Sequence, residues 1–273
     1  MTLETSGRET DSRGHDQMIE KWLDSYELKA RDVPGLILVF PVLIDALYAA
    51  PVLNSWPIFT ASGICGFALV YALGHLARAL GEGIEPNLWA SWGGPPSTRF
   101  MRHRDTFFGE GLKLQIYQNL NKEFSIRLLT DDEEARNHGR ADKEIEDAFR
   151  RVREYLRASD PKGLWYSHNV EYGFSRNLLG CRLLWAIVAV AATAFAMAYG
   201  VKNGGGPLNP ASLMNCVALI CAVYIGWAVL PGATRRVADG YAEAAWLAFL
   251  RKSGESPRVP TSIVVSERGQ DGI

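Results

Sequence analysis

Apolar residues in this chain concentrate in four long segments, which lie as two close pairs on either side of a polar middle region. The segments are residues 34–53, 57–80, 183–199 and 213–231. A helix needs roughly 20 predominantly apolar residues to cross ~30 Å of hydrocarbon. Because backbone amides in lipid must be paired within their own segment, each segment is predicted to be a transmembrane helix.

The links within each pair are short, which predicts two antiparallel helical hairpins. Residues 54–56 join the first pair, and a glycine- and proline-rich loop at 201–211 joins the second. Lys202 is the single cation in these links, whereas lysines and arginines flank the opposite ends of the segments. The positive-inside rule therefore predicts a multi-pass protein whose termini and middle region are cytoplasmic.

The polar middle region, residues 81–181, is predicted to be a cytosolic helical domain. Residues 81–106 are loop-like by composition. Apolar residues at four-residue spacing predict a helix over 107–124, and Thr130 followed by acidic residues is typical of a helix N-cap. Residues 142–158 have the clearest amphipathic pattern. The two long helices are predicted to form a hairpin that continues the membrane bundle.

The resulting fold class is an all-α membrane protein. Four transmembrane helices form two hairpins, and a cytosolic helical-hairpin domain is inserted between the pairs. The remaining predicted boundaries are a disordered tail at 1–15, an amphipathic pre-membrane helix at 16–33, hairpins at 34–80 and 182–232, an amphipathic cytosolic helix at 233–252 and a flexible tail at 253–273.

Composition narrows the functional classes. The chain has 273 residues, of which 48% are apolar, and a formal net charge of −1, so bulk charge does not favour nucleic acid. The arginines at 150–157 are interleaved with acidic residues, which argues against nucleic acid as well. The four cysteines lack metal-ligand spacing, so neither a metal site nor a disulfide framework is predicted. No catalytic set and no cofactor motif is found, so the chain is predicted not to be an enzyme.

Two local sequences beside the membrane contain candidate ligand-binding residues. WGGPPSTR, residues 92–99, predicts a helix start with nearby cations that could hold an anion such as phosphate. The alternative is a juxtamembrane turn whose cations face lipid headgroups. In NVEYGFSRNLLG, residues 169–180, an acid could pair with those cations and link the two hairpins, or the same proximity could form a ligand pocket. The candidates are Arg99, Arg102, His103, Arg104, Glu171, Arg176 and Asn177.

Asp45 and His75 are the candidate functional polar residues within the predicted spans. Asp45 is near the middle of the first apolar segment, where a carboxylate costs about 2.5–3.5 kcal/mol on insertion scales, so it should face the bundle interior or a watery cavity. It is a candidate for an ion path, and a hydrogen-bonded packing residue is the equal alternative. His75 lies nearer the cytosolic end of the second segment, on the order of 15 Å from Asp45 in depth.

The two local motifs also carry a resemblance. WGGPPSTRFMRHRD after the second segment and YGFSRNLLG before the third resemble a group of uncharacterised bacterial four-span membrane proteins, whose helical cytosolic insert ends in a YGF-x-RNL-x-G stretch. The resemblance covers about residues 85–182 and implies the same architecture in the bacterial inner membrane. In layout alone, the chain is similar to four-span membrane effectors of bacterial anti-phage systems.

Three functional hypotheses follow. In the first, a cytosolic domain senses a ligand or partner and acts through the bundle, for example as a membrane-perturbing effector. A homo-oligomer and an anionic small molecule or cytosolic protein as trigger belong to this hypothesis. The second is a small transporter or ion pathway that uses Asp45 and His75. The third is a membrane scaffold that docks a soluble partner. The lipid bilayer is a partner in all three.

Overall fold

The computed structural model describes residues 30, 32–49 and 56–255. No β-strand occurs in these ranges, so the predicted all-α fold is confirmed. The helices are α1 (Val33–Ala49), α2 (Trp56–Trp92), α3 (Pro96–Arg99), α4 (Glu110–Phe124), α5 (Asp131–Arg136), α6 (His138–Ser159), α7 (Leu164–Lys202), α8 (Pro210–Tyr224), a π-helical segment (Ile225–Val229) and α9 (Leu230–Glu255). The predicted tail at 1–15 lies outside the described residues. So do the predicted pre-membrane helix at 16–33, apart from residues 30, 32 and 33, and the predicted tail at 253–273, apart from residues 253–255.

In the part of the chain that the structure describes, three continuous helical runs are longer than a whole bilayer with its headgroups, about 40–45 Å. α2 has 37 residues and α7 has 39. α8, the π-helical segment and α9 form one helix of 45 residues over Pro210–Gly254. At about 1.5 Å per residue these runs are about 55, 58 and 67 Å long. In the described part of the chain, α7 and the Pro210–Gly254 helix are long and apolar enough to cross a membrane, and α1 is a shorter apolar helix.

The loop predicted at 81–106 is wrong over its first half, because α2 continues to Trp92. Pro86 lies inside this helix, where it removes one backbone hydrogen-bond donor. Ile84 and Leu88 of the same stretch pack against a buried apolar cluster that includes residues of α7. Apolar burial on both sides of the proline therefore keeps the helix intact.

The fourth apolar segment also continues past its predicted end. Pro231 lies in the first turn of α9 and has no N–H for the carbonyl of Trp227. The π-helical turn at 225–229 immediately precedes this position and re-pairs the backbone, so the helix runs on without a break. Gly226 in the wide turn lies against α7, where an added Cβ would be 3.1 Å from Cβ of Arg182.

One apolar core lies among the helices of the predicted cytosolic region, which we call the polar half of the molecule. α9 is the central helix of this core. α9 packs on α4, α6 and α7 through a face that includes the fully buried Trp246 and Phe249. The predicted hairpin of the helices at 107–124 and 142–158 is corrected accordingly, since each packs more on α9 than on the other. Both helices have an apolar face, and α9 covers both at once.

The N-cap predicted at Thr130 is confirmed and opens α5. The Thr130 hydroxyl accepts from the Glu133 N–H at 3.4 Å, and the Glu133 carboxylate accepts from the Thr130 N–H at 2.9 Å, which together form a capping box. These hydrogen bonds hold the pKa of Glu133 below its usual value. The flanking helices begin at Glu110 and His138, each within a few residues of the predicted start.

Exposed large apolar side chains are concentrated in one set of segments, which we call the apolar belt. The belt comprises α1 and residues 69–76, 183–201 and 208–229. The exceptions among the described residues are Phe107, Leu114, Leu164 and Leu247. Monomeric soluble proteins rarely expose apolar surface on this scale. The belt therefore fits contact with lipid tails.

Candidate functional site

α2 and α7 cross at two glycines, where the absence of a side chain lets the backbones touch. A Cβ on Gly180 would lie 2.6 Å from the backbone nitrogen of Gly81, and a Cβ on Gly81 would lie 2.8 Å from Cα of Asn177. Backbone atoms cannot move aside cheaply, so glycine is required on both helices. A second crossing joins α1 to α2, where a Cβ on Gly35 would lie 2.8 Å from the nitrogen of Gly74.

Polar side chains of YGFSRNLLG lie around the first crossing. Arg176 Nη1 donates to Oε1 of Glu85 at 3.0 Å, and the Tyr172 hydroxyl donates to the same oxygen at 2.6 Å. Burial, with the nearby carboxylate, raises the pKa of the Tyr172 phenol, so it remains a donor. Asn177 donates to the carbonyl of Ala30 at 2.8 Å, which attaches the start of α1 to α7.

A cavity of about 730 Å³ lies on the polar side of this crossing, between α6 and α7, with further walls from α2, α3 and α9. α6 packs on α3 and α9, whereas α7 packs on α1, α2, α8 and α9, so the two helices diverge from the turn that joins them. That turn is fixed by Trp165, whose Nε1 donates to the carbonyl of Asp160 at 2.7 Å. Arg251 of α9 lies 3.2 Å from the Asp160 carboxylate.

The α6 wall of the cavity has three arginines on one face, Arg150, Arg153 and Arg157. The Arg153 guanidinium lies 5.7 Å from the ring centre of Phe149, and its Nε is buried without a hydrogen-bond partner. Arg157 forms no ion pair with a described residue, whereas Arg150 lies 3.7 Å from the exposed Asp147. On the opposite wall the arginines are neutralised, since Arg176 pairs with Glu85 and Arg78 pairs with Glu82 at 2.8 Å.

Arg99 and Arg102, predicted to bind an anion, lie outside the cavity and are paired with carboxylates of the protein. Arg99 Nη2 lies 3.0 Å from Asp239 of α9. Arg102 is buried, binds both carboxylate oxygens of Asp142 at 2.7 and 2.8 Å and donates to the carbonyl of Gly93 at 2.6 Å. These contacts fix the loop after α2 to α6 and α9. They correct the alternative in which these cations face lipid headgroups.

His103 and Arg104 meet a single buried carboxylate, that of Glu134 in α5. The His103 backbone N–H donates to Glu134 at 3.0 Å, and its Nε2 lies 3.0 Å from the carbonyl of Leu129. Arg104 is half-exposed, 4.0 Å from Glu134. On α4, burial lowers the pKa of Lys113, whose ammonium donates to the Arg102 carbonyl in that loop at 2.5 Å.

The predicted pairing of Glu171 with the cations at 99–104 is wrong. Glu171 is exposed and lies 3.4 Å from His168, one turn earlier on α7. The link between the two hairpins is formed instead by Arg176 and Glu85. Glu171 and Arg176 are five residues apart and therefore do not share a helix face.

Asp45 was predicted to face the bundle interior or a watery cavity, and it is buried inside the bundle, where it contacts α8. Its Oδ1 accepts from Nδ2 of Asn215 at 2.7 Å, and the Oδ1 of Asn215 has no partner. His75 is exposed on α2, and its ring packs edge-on against Tyr71 with centroids 4.7 Å apart. The structure therefore does not bring Asp45 and His75 together. This geometry favours the packing alternative for Asp45.

Sequence reasoning missed the arginines of α6 and the aromatic wall opposite them. The usable signal was their spacing, because positions 150, 153 and 157 share a helix face, and Glu154, the one acid between them, does not line the cavity. Within the described ranges no three His, Cys, Asp or Glu side chains lie close enough to hold a metal ion. No protein-family model, curated protein or solved structure matches this chain.

Proposed function

We propose that this chain is a non-enzymatic, multi-pass inner-membrane protein whose cytosolic cavity senses a ligand or partner and acts through the membrane bundle. Four spans would lie in two hairpins, with the termini and the cavity on the cytoplasmic side. The observation that carries this proposal is helix continuity. α2, α7 and the α8–α9 helix each line the cavity, or pack beside it, and continue unbroken into the apolar belt.

Continuity matters because a rigid helix carries a displacement from one end to the other. An occupant that moves α6 relative to α7 would act on helices that are closely packed at Gly81 and Gly180. Such an occupant shifts the bundle only if it binds one arrangement of the helices more tightly than the other. A membrane-perturbing effector of an anti-phage system, acting as a homo-oligomer, is the concrete form of this proposal.

Topology is the first test. In a variant with the native cysteines replaced by alanine, we introduce Lys202→Cys at the end of α7 or Lys143→Cys on α6, both at exposed positions. A membrane-impermeant maleimide should label Cys at position 202 in intact spheroplasts, and at position 143 only after the membrane is opened. Equal labelling of both positions in intact cells would contradict the proposed orientation.

Membrane action is the second test. We induce the wild-type chain in a bacterial host, with and without phage infection, and measure the potential across the inner membrane. Induction should depolarise this membrane. Asp45→Ala should abolish the effect, because it breaks the α1–α8 contact, while Lys143→Ala serves as the matched control. An unchanged membrane potential in the wild type at matched expression would contradict the effector form and leave the topology intact. Asp45 and His75 do not contact each other, so they give no support to the transporter hypothesis. The scaffold hypothesis stays a prediction.

A further inference from the structure

We propose that the cavity binds a soluble phosphate ester that carries a planar ring, with its phosphates on the arginines of α6 and its ring against the aromatic wall opposite. This inference rests on the proposed function, because it names the ligand class that the cytosolic cavity would sense. The volume of about 730 Å³ is within the range of small-molecule sites.

The charge distribution within the cavity favours an anion. The acids of the α2 wall, Glu82 and Glu85, are already paired with arginines. On the α6 wall, Glu146 is the acid that lines the cavity, and it lies one helical turn before Arg150, on the same face as the three arginines that outnumber it. Guanidinium groups bind phosphate through parallel N–H···O bonds, which makes arginine better suited than lysine to this task.

Unpartnered polar atoms point to the same place. Four buried side-chain atoms lack a hydrogen-bond partner in the described part of the molecule, and two of them, Thr98 Oγ1 and Arg153 Nε, belong to residues that line this cavity. Buried polar groups are rarely left unpaired, so each such group asks for an explanation. Phe149 holds the Arg153 guanidinium in place, so less side-chain freedom is lost when an anion binds.

Aromatic residues supply the second half of the proposed site. Trp89, Tyr166 and Tyr241 line the cavity and are half-buried. Tyr241 also stacks on Tyr172 with the rings 5° from parallel and the centroids 6.3 Å apart. Stacking on an aromatic side chain recognises any planar ring, since every such ring has a π-face. Trp89 and Tyr166 belong to walls other than α6, so they would hold the ring apart from the phosphates, whereas Tyr241 contacts Phe149 of α6 edge-on with centroids 6.1 Å apart.

The alternative is that the α6 arginines are an ordinary solvated helix face. α6 itself provides the control, because Arg151 lies in the same run of arginines but is exposed and outside the cavity. Under the alternative, the two exposed arginines, Arg151 and Arg157, are equivalent. Under the proposal, Arg157 contributes to binding because it lines the cavity, and Arg151 does not.

The test measures binding of Mg²⁺-free ATP, pyrophosphate and adenosine to the full chain in phosphatidylcholine nanodiscs by calorimetry. ATP should bind more tightly than either fragment. Arg153→Ala and Arg157→Ala should each weaken ATP binding by about tenfold, the effect of one lost charge-assisted contact. Arg151→Ala should leave it unchanged. If Arg153→Ala fails to fold, Arg157→Glu replaces it in the test. Arg157 is exposed, so this variant should fold, and it should weaken ATP binding.

Absence of ATP and pyrophosphate binding, or equal losses in the Arg151 and Arg157 variants, would overturn the proposal. Nanodiscs that contain phosphatidylglycerol separate the two sources of phosphate. If phosphatidylglycerol competes with ATP in the wild type, and Arg157→Glu removes the competition, phosphate recognition holds and the ligand is a lipid headgroup. Failure of ATP binding with cytoplasmic labelling of position 143 would remove this ligand and leave the membrane topology standing.

Discussion

Arg176 of α7 and Glu85 of α2 are 91 residues apart in the chain and form an ion pair at 3.0 Å. Their side chains are only 12% and 16% exposed, so both charges are largely removed from water. The pair lies at the crossing of the two hairpins and on the wall of the cavity. It therefore links the wall of the cavity to helices that continue into the apolar belt.

Breaking this pair should destabilise the fold, because the remaining charge stays buried without its partner. We expect Glu85→Gln and Arg176→Gln each to lower the free energy of unfolding by about 1–3 kcal/mol. The double variant should lose less than the sum of the two. Unfolding in detergent measures all three. Arg78→Gln, which removes an ion pair with both side chains about half exposed, is the control and should change little. Strict additivity of Glu85→Gln and Arg176→Gln would contradict the direct contact.

The glycine contact between α2 and α7 gives a matched pair of substitutions on a single helix. Gly81→Ala places a Cβ 2.8 Å from Cα of Asn177, so the helices must separate, at about 1–3 kcal/mol for overpacking. Gly83→Ala meets nothing within 4 Å and should stabilise α2 by about 0.5–1 kcal/mol. Melting temperatures should therefore move in opposite directions. If both substitutions stabilise, the close crossing is absent in solution.

Fold class and local signals were predictable from the sequence, whereas the partners of side chains were not. Thr130 and its acids form the expected cap because capping depends only on neighbouring residues. Arg102 was predicted to bind an anion or to face lipid headgroups, whereas its partner is Asp142, 40 residues away in the chain, and that pairing depends on how the loop after α3 packs against α6. The continuation of helices through Pro86 and Pro231 could not be read from the prolines either. Tertiary burial and a π-helical turn outweigh the missing hydrogen bonds there.

Asp239 predicts a pH dependence opposite to that of an ordinary ion pair. Burial raises its pKa above the usual 3.8, and this effect exceeds the opposing influence of Arg99. A raised folded-state pKa means that the stabilisation is complete below 3.8 and is lost as the pH rises through the folded-state value. Asp239→Asn keeps an acceptor for Arg99, so it should not lower stability at pH 7. The difference in the free energy of unfolding between Asp239→Asn and the wild type should shrink as the pH falls towards 3.8. Urea unfolding at pH values from 4 to 7 measures this difference. A large loss at pH 7 would mean that the attraction of Arg99 dominates.

Arg102 and Arg104 allow the stability effect of the same substitution to be compared at a buried arginine and at a half-exposed one. Arg102→Lys cannot reproduce the two-pronged contact with Asp142 together with the hydrogen bond to Gly93, so it should cost about 2 kcal/mol of stability in the absence of any ligand. Arg104→Lys, at a half-exposed position 4.0 Å from Glu134, should be neutral. Equal melting temperatures for both variants would return Arg102 to the set of candidate ligand-binding residues.

Asp45 and Asn215 offer the sharpest distinction between packing and conduction in the apolar half. An amide at position 45 still accepts from Nδ2 of Asn215, and its new N–H group can donate to the Asn215 Oδ1, which now has no partner. Asp45→Asn should therefore be as stable as the wild type or more stable, whereas Asp45→Ala should lose about 1 kcal/mol. If the carboxylate carried protons, Asp45→Asn would fold and abolish pH-dependent flux in liposomes. We expect no such flux in the wild type, because Asp45 is sealed between α1 and α8 and His75 lies on the outer face of α2.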